Sequence, residues 1–224
     1  MKQLEAASDL TTRADTAGVV AKRVVDVVVA VVVLAGFSPL WLLIAILIKL
    51  TSPGSALYSG QVVGKGGIPF TYYKFRTMRA GSAEANHRRF IEQYVRGEAR
   101  RLNGSDQGQG HFKAPGEDHL TPVGRSLRRV SLDEIPQFIN VLRGEMSVVG
   151  PRPPVPYEYE LYDDWAKQRL AVRPGITGLA QVRRRSAATF QEMVHLDLEY
   201  IHTWSLWLDL KLMFLTLPAM LRGI

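Results

Sequence analysis

Apolar residues are spread unevenly along this chain, and their spacing predicts its elements. Residues 1 to about 17 show no apolar periodicity and read as a loosely attached polar tail. From Val27 to Ile48 no residue is charged, with Lys22, Arg23 and Asp26 before the run and Lys49 after it. As a straight helix the run would measure ~33 Å, enough to cross a bilayer core. It is too long, and starts too far from the terminus, for a signal peptide. Pro39 removes the bond to the Ala35 carbonyl and Ser38 can return its hydroxyl to the backbone, so a break is predicted at mid-run. By the residues alone a kinked single span is favoured over a re-entrant hairpin, because spanning helices tolerate proline kinks. Basic residues at both ends leave the orientation open. They are also what a segment entering and leaving on the cytoplasmic side would carry.

Beyond Ser52-Pro53-Gly54, two short runs around Ala56 to Val63 and Ile68 to Phe75 flank Gly64-Lys65-Gly66-Gly67 and predict a β-hairpin. The glycines read as a turn rather than a phosphate cradle. Lys74 and Arg76 alternate with Phe75, so both charges are expected on one face, where a solvated edge is the plain reading. A helix is predicted over 82–102, capped by Ser82, with Phe90, Ile91, Tyr94 and Val95 on one side. His87, Arg88, Arg89, Arg96, Arg100 and Arg101 make its remainder a basic, solvated face that could also meet anionic headgroups. Residues 103–110 form a glycine-rich polar loop, and Thr121-Pro122 opens a helix carrying Arg125, Arg128 and Arg129.

Ile135, Phe138, Ile139 and Leu142 fall at i, i+3, i+4 and i+7, one face of a further helix that Gly144 closes. Its start is open to two readings: a capping box of Ser131 with Glu134, or Asp133 as the cap with Pro136 tolerated behind it. Tyr157 to Val172 is a mixed helical stretch before the Pro174-Gly175 turn. Residues 204–221 predict a helix too short and too charged to span, either packed on the core or anchored at an interface by Trp204 and Trp207.

At 224 residues the chain suits one catalytic domain plus a membrane segment. A net charge of +7 favours anionic partners: phosphate-rich ligands, an anionic lipid surface or nucleic acid. There is no cysteine, which excludes disulfides, thiolate zinc sites and thiol nucleophiles. His111, His119, His195 and His202 have no metal-ligand spacing with a carboxylate.

The candidate chemistry gathers at Asp133-Glu134. An acidic pair in a first helical turn is ordinarily a cap. Here Arg125, Arg128 and Arg129 precede it, Arg143 follows, and Gly150-Pro151-Arg152-Pro153-Pro154 is a rigid turn presenting one guanidinium between prolines. Arginine holds phosphate oxygens bidentately, and carboxylates among such donors are expected where a metal-bound diphosphate is held or attacked.

These blocks carry a resemblance. Lys22-Arg23 before the apolar run, Ser38-Pro39 within it, Lys74 to Met78, Ser131 to Gln137, Gly150 to Pro153 and Arg173 to Gly178 stand in the order found in monotopic phosphoglycosyl transferases, and the likeness covers about residues 20 to 221. It implies an α+β, mainly helical monotopic membrane protein: a tail over 1–17, a re-entrant membrane helix over 18–50 turned back at Ser38 and Pro39, and a catalytic domain over 51–224 with a small hairpin and amphipathic interface helices. The implied reaction moves a sugar 1-phosphate from a UDP-sugar to polyprenyl (undecaprenyl) phosphate, releasing UMP through a phosphosugar-aspartate intermediate that starts a surface glycan. Asp133 is the implied nucleophile and Mg²⁺ ligand, with Glu134 beside it. Lys74, Arg76, Arg128, Arg152, Arg173 and Gln181 are implied phosphate or substrate ligands, and Lys22 and Arg23 are implied at the membrane interface. The implied location is the inner membrane with the catalytic domain facing the cytoplasm, with no nucleic-acid partner expected and homo-oligomers left open. Leu179 and Arg183-Arg184-Arg185 depart from the family's aromatic and Asn-Gly-Arg. Neither the sugar nor the pathway can be read. A membrane-tethered basic module without chemistry would explain the charge and the apolar run, but has no use for the acidic pair.

Overall fold

The computed structural model describes residues 16–79, 84–98, 119–184 and 188–221. Most of the polar tail, the Ser82 cap, Arg100, Arg101, the 103–110 loop, His111 and Arg185 lie outside the described residues.

The apolar run forms two helices, α1 (Thr16–Gly36) and α2 (Ser38–Thr51), bent by 62° at the predicted break. Pro39 falls in the first turn of α2, where its missing N–H costs nothing. Across the break the Ser38 hydroxyl donates to the Ala35 carbonyl at 2.9 Å, and Trp41 Nε1 donates to the Val33 carbonyl at 3.1 Å. Neither helix alone is long and apolar enough to cross a membrane, whereas the bent pair is. Val24, Val28, Leu42, Leu43, Ile46 and Leu50 are exposed on the pair, while Ala30, Ile44 and Ile48 are buried against the rest of the chain.

The hairpin is β1 (Leu57–Val63) paired antiparallel with β2 (Pro69–Phe75), in register from Leu57 opposite Phe75 to Val63 opposite Pro69. α3 (Glu84–Val95) stops short of the helix predicted over 82–102, with Gly97 in the left-handed region at φ 72°, and α4 (Pro122–Arg129) follows where Thr121-Pro122 predicts it. The acidic pair departs from expectation. Leu132–Gln137 is a 3₁₀ turn, and α5 begins only at Phe138, ending at Arg143. Pro136 has no N–H to give the i−4 carbonyl, so the first turn tightens to i−3 bonds, as from Glu134 N–H to the Ser131 carbonyl at 3.3 Å. Neither predicted cap forms. Ser131 has a left-handed backbone, φ 55°, and makes no side-chain cap bond. Gly144 does close α5 in the left-handed conformation, φ 80°. Leu142 is exposed, and the inward positions include Asn140, whose amide joins α5 to β2: Nδ2 donates to the Thr71 carbonyl at 2.7 Å and Oδ1 accepts from Tyr73 N–H at 3.2 Å.

A second strand pair escapes the sequence pattern because each strand has only three residues, too few for alternation to register: β3 (Ser147–Val149) runs parallel to β4 (Gly175–Thr177). Between them lie α6 (Pro156–Tyr159), α7 (Asp164–Lys167) and a 3₁₀ turn over Gln168–Ala171. Then come α8 (Leu179–Arg183), α9 (Phe190–His202) and α10 (Leu206–Leu221). The main core joins Ala30 of α1, Phe138 and Val141 of α5, Val149 of β3, Tyr200 of α9 and Leu212 of α10. The architecture is thus mainly helical with a small hairpin.

Charged residues near the start of α1 are built into this core. Lys22 Nζ donates to Asp209 Oδ2 at 2.6 Å and to the Val149 carbonyl at 3.1 Å. Arg23 donates to the carbonyls of Val141 and Leu142, capping the C-terminal end of α5. Asp26, fully buried, accepts from the Ser147 hydroxyl and Val148 N–H. The sequence reading put Lys22 and Arg23 at the membrane interface; the structure gives both side chains partners within the protein.

Candidate active site

The site is built on the entry to α4. The Thr121 hydroxyl caps the helix by accepting from Gly124 N–H at 2.9 Å. Gly124 meets the Thr77 backbone so closely that a Cβ there would lie 2.1 Å from the Thr77 carbonyl oxygen. This contact sets Arg128, one turn on, over the end of the hairpin. Its Nε donates to Thr77 Oγ1 at 3.0 Å and its Nη2 approaches Met78 Sδ at 3.3 Å.

The 3₁₀ turn then brings Asp133 inside, only 6 % exposed, with Glu134 half-buried beside it. Burial raises the Asp133 pKa, and the positive charges of Lys74 and Arg128 work against that rise. Glu134 is pushed up to about 7, first by burial and then by the Asp133 charge, with Arg152, Lys74 and Arg128 opposing. The cations therefore do not cancel the effect of burial on either acid. Lys74 Nζ lies 5.3 Å from the Tyr58 ring centre and 5.6 Å from that of Tyr72.

Arg152 arrives from the other side of the fold. Gly150 N–H donates to the Thr177 carbonyl and Gly175 N–H to the Pro151 carbonyl, both at 2.8 Å, so the β3–β4 pair fixes the turn that carries it. Arg152 is exposed as a residue. Desolvation acts to lower its pKa, but Glu158, Glu134, Tyr72 and Tyr94 together raise it.

The fold thus brings Asp133, Glu134, Lys74, Arg128 and Arg152 into one electrostatic cluster. Other expected members lie elsewhere. Arg76 turns back to the end of α2, where Nη2 donates to the Ser52 carbonyl and hydroxyl at 2.8 Å, and Nη1 donates to the Pro53 carbonyl. The strand ends at Phe75, so strict alternation no longer holds Arg76 on the face of Lys74. Arg173 is exposed, with no bonded partner among the described residues. Gln181 on α8 keeps a buried Oε1 with no hydrogen-bond partner among the described residues. Ser38 and Pro39 lie at the helix break. Arg143 stacks on Tyr73, and Arg125 and Arg129 are exposed.

Sequence reasoning missed His87, Tyr157 and Glu158. His87 Nδ1 makes a short hydrogen bond with the Tyr157 hydroxyl, and its pKa is lowered by burial and then by Arg152. His87 read as part of a solvated basic face, and nothing in the spacing of α3 told that this face meets α6. A cavity of about 520 Å³ between Val95, Arg96, Trp165, Phe190 and His195 contains none of the cluster.

No group of three or more metal-ligating side chains occurs among the described residues. Two adjacent carboxylates with incomplete charge compensation fit Mg²⁺ of the kind bound by one or two acids and shared with substrate phosphates.

The sequence profile of bacterial sugar transferases matches residues 17–223. An exopolysaccharide production protein, ExoY, of Rhizobium meliloti is 42 % identical over 204 residues, covering 90 % of this chain and 86 % of the relative. A UDP-glucose:undecaprenyl-phosphate glucose-1-phosphate transferase of Caulobacter vibrioides is 42 % identical over 212 residues, 89 % of this chain and 69 % of that one. An undecaprenyl-phosphate galactose phosphotransferase of Salmonella typhimurium is 38 % identical over 202 residues, covering 90 % of this chain but 40 % of the relative.

Proposed function

Because the chain belongs to the bacterial sugar transferase family and is a transferase, we propose that it moves a sugar 1-phosphate from a UDP-sugar to undecaprenyl phosphate and releases UMP. The reading includes attachment to the inner membrane by a re-entrant α1–α2 pair, with the catalytic domain on the cytoplasmic side. The product is the first lipid-linked unit of an exopolysaccharide or related glycan.

One observation carries the mechanism: Asp133 is buried at a tight turn with Lys74 and Arg128 as its opposing cations, and Arg152 acts on its neighbour Glu134. An Asp133 oxygen attacks the β-phosphorus of the donor, the bond from that phosphorus to the bridging oxygen breaks, and UMP leaves with the electron pair. The sugar phosphate stays on the carboxylate as an acyl phosphate until a phosphate oxygen of the lipid displaces Asp133. No proton has to move in either step. Arg128 and Arg152 hold diphosphate oxygens, and Lys74 offsets charge at the attacked phosphorus. Asp133 would hold Mg²⁺, which would supply charge neutralisation for the leaving phosphate. Glu134 does not share the attack, since consecutive residues of a helical turn face different ways; it orients Asp133 and the cation. Gln181 and Arg173 are secondary candidates for donor or acceptor contacts, supported by the Gln181 Oε1, which has no partner among the described residues, and by the exposure of Arg173.

The test is exchange of labelled UMP into UDP-sugar without lipid acceptor. The covalent route requires exchange, ping-pong kinetics and label trapped on Asp133, all lost in Asp133→Asn. If exchange strictly needs acceptor and no label can be trapped, the lipid phosphate attacks directly and Asp133 is only a ligand.

A further inference from the structure

Behind the turn that carries Arg152 lies a buried polar cluster that the proposed chemistry leaves unused. Arg169, in the 3₁₀ turn after α7, and Asp197, on α9, are each 1 % exposed. Arg169 Nε donates to Asp197 Oδ2 at 2.8 Å, and its Nη2 lies 2.5 Å from the same oxygen. A buried ion pair is weak as a device for stability, because desolvation of both charges offsets their attraction. The remaining N–H groups of the guanidinium suggest another role. Nη2 also donates to the Arg152 carbonyl at 3.2 Å, and Nη1 donates to the Tyr162 hydroxyl at 2.6 Å. That hydroxyl in turn donates to Glu158 Oε1 at 2.6 Å. Two arms thus leave one anchored fork: one reaches the main chain of Arg152, the other a carboxylate on the neighbouring helix α6.

We propose that Arg169 and Tyr162 are positioning residues for Arg152, holding its carbonyl directly and holding Glu158 as the counter-charge that aims its guanidinium at the Asp133–Glu134 pair. The inference rests on the reading of Arg152 as a phosphate ligand. Two further features agree with it. Glu158 is the carboxylate that does most to raise the Arg152 pKa. Tyr162 is held well above the usual tyrosine range, chiefly by burial, so its hydroxyl keeps the proton that it gives to Glu158.

The geometry also says which substitution isolates the effect. Arg169→Ala would strand Asp197 as an unpaired buried charge and endanger folding. Tyr162→Phe removes only the bridging oxygen and keeps the ring against Phe190, 5.3 Å away between centres. The experiment is a double-mutant cycle on the full chain in nanodiscs: wild type, Tyr162→Phe, Arg152→Lys and the pair. The readout is UMP release with undecaprenyl phosphate and whichever of UDP-glucose, UDP-galactose and UDP-N-acetylgalactosamine the wild type turns over fastest. Tyr162→Phe is expected to lower kcat/KM about tenfold, the scale of one charge-assisted hydrogen bond. In the Arg152→Lys background the same substitution is expected to cost less than about twofold, because the group being aimed is gone. Equal losses in both backgrounds, or wild-type rates in Tyr162→Phe, would overturn the proposal. Should Tyr162→Phe not fold, Glu158→Gln carries the same cycle with the same criteria. Wild-type rates in Arg152→Lys alone would instead remove Arg152 from the phosphate site, a distinguishable failure of the underlying reading.

Discussion

Arg128 is held by Thr77 Oγ1 through its Nε and by Met78 Sδ through its Nη2, which leaves most of its guanidinium N–H groups to meet phosphate oxygens. Thr77→Val keeps the shape of the buried side chain and removes that acceptor. Turnover is expected to fall about five- to tenfold, and Arg128→Lys to rescue poorly, since an ammonium cannot present the planar fork. UMP release at saturating donor checks both. His87 allows a separate test at the same scale. Its folded pKa lies below the ordinary value of 6.5, so the folded state resists the proton that the unfolded chain accepts. Its contribution to stability is therefore complete above pH 6.5 and is lost as pH falls towards its folded pKa. Melting temperature is expected to drop less steeply below pH 6.5 in His87→Asn than in wild type, and parallel slopes would contradict this. At this scale the grouping of Asp133, Glu134, Arg128 and Arg152 was legible, because acids set among cations are a compositional signal. His87 and Glu158 were not, because their role depends on which faces of α3 and α6 meet.

Among the elements, α4 depends on Gly124. Its contact with Thr77 leaves no room for a methyl group, so Gly124→Ala must push Arg128 away from the hairpin. Melting is expected to show a loss of about 1–3 kcal/mol, as for overpacking, together with reduced activity. The α1–α2 pair supports a topological test. The chain has no cysteine, so single cysteines at Leu10 and Ser59 can be labelled cleanly. Both are expected to react from the cytoplasmic side only, and opposite accessibility would restore a single span. In α10, Trp207, Phe214 and Leu217 are 76 %, 72 % and 60 % exposed while Asp209 and Leu212 are buried. One face packs on the core and the other is free for a lipid interface, so the two sequence readings of this helix are compatible. Trp207→Glu with Phe214→Glu is expected to weaken binding to anionic vesicles without shifting the melting temperature.

Across the whole molecule, the α1–α2 pair and the rest of the chain are not separable parts. Lys22 reaches Asp209 and Val149, Arg23 reaches the end of α5, and Asp26 reaches β3. Deleting residues 1–51 would leave the buried Asp209 without its cation and strip Ala30 from the main core. Unpairing one buried charge costs about 3–5 kcal/mol, a large part of the stability of an ordinary domain. The truncated chain is therefore expected to be poorly folded rather than simply soluble, as hydrogen exchange of β3 and α5 would show. Exchange as slow as in the intact protein would refute the coupling.

The sequence by itself determined the features written in local chemistry. Pro39 and Ser38 set the helix break, alternation and glycines set the hairpin, and Gly144 set the end of α5, because each depends on neighbours in the chain. It also determined which residue types could act on phosphate. The tertiary structure decided where the charges point. Lys74 and Arg76 are two residues apart, yet one joins the acids and the other ties down α2, since the strand ends between them. Lys22 finds its partner in Asp209, far along the chain, which no local pattern names. The 3₁₀ turn at Asp133 follows from Pro136, but its burial follows from the packing of β2, α4 and α5 around it. A charge is assigned by its distance from other charges, and that distance is fixed only when segments remote in sequence are packed together.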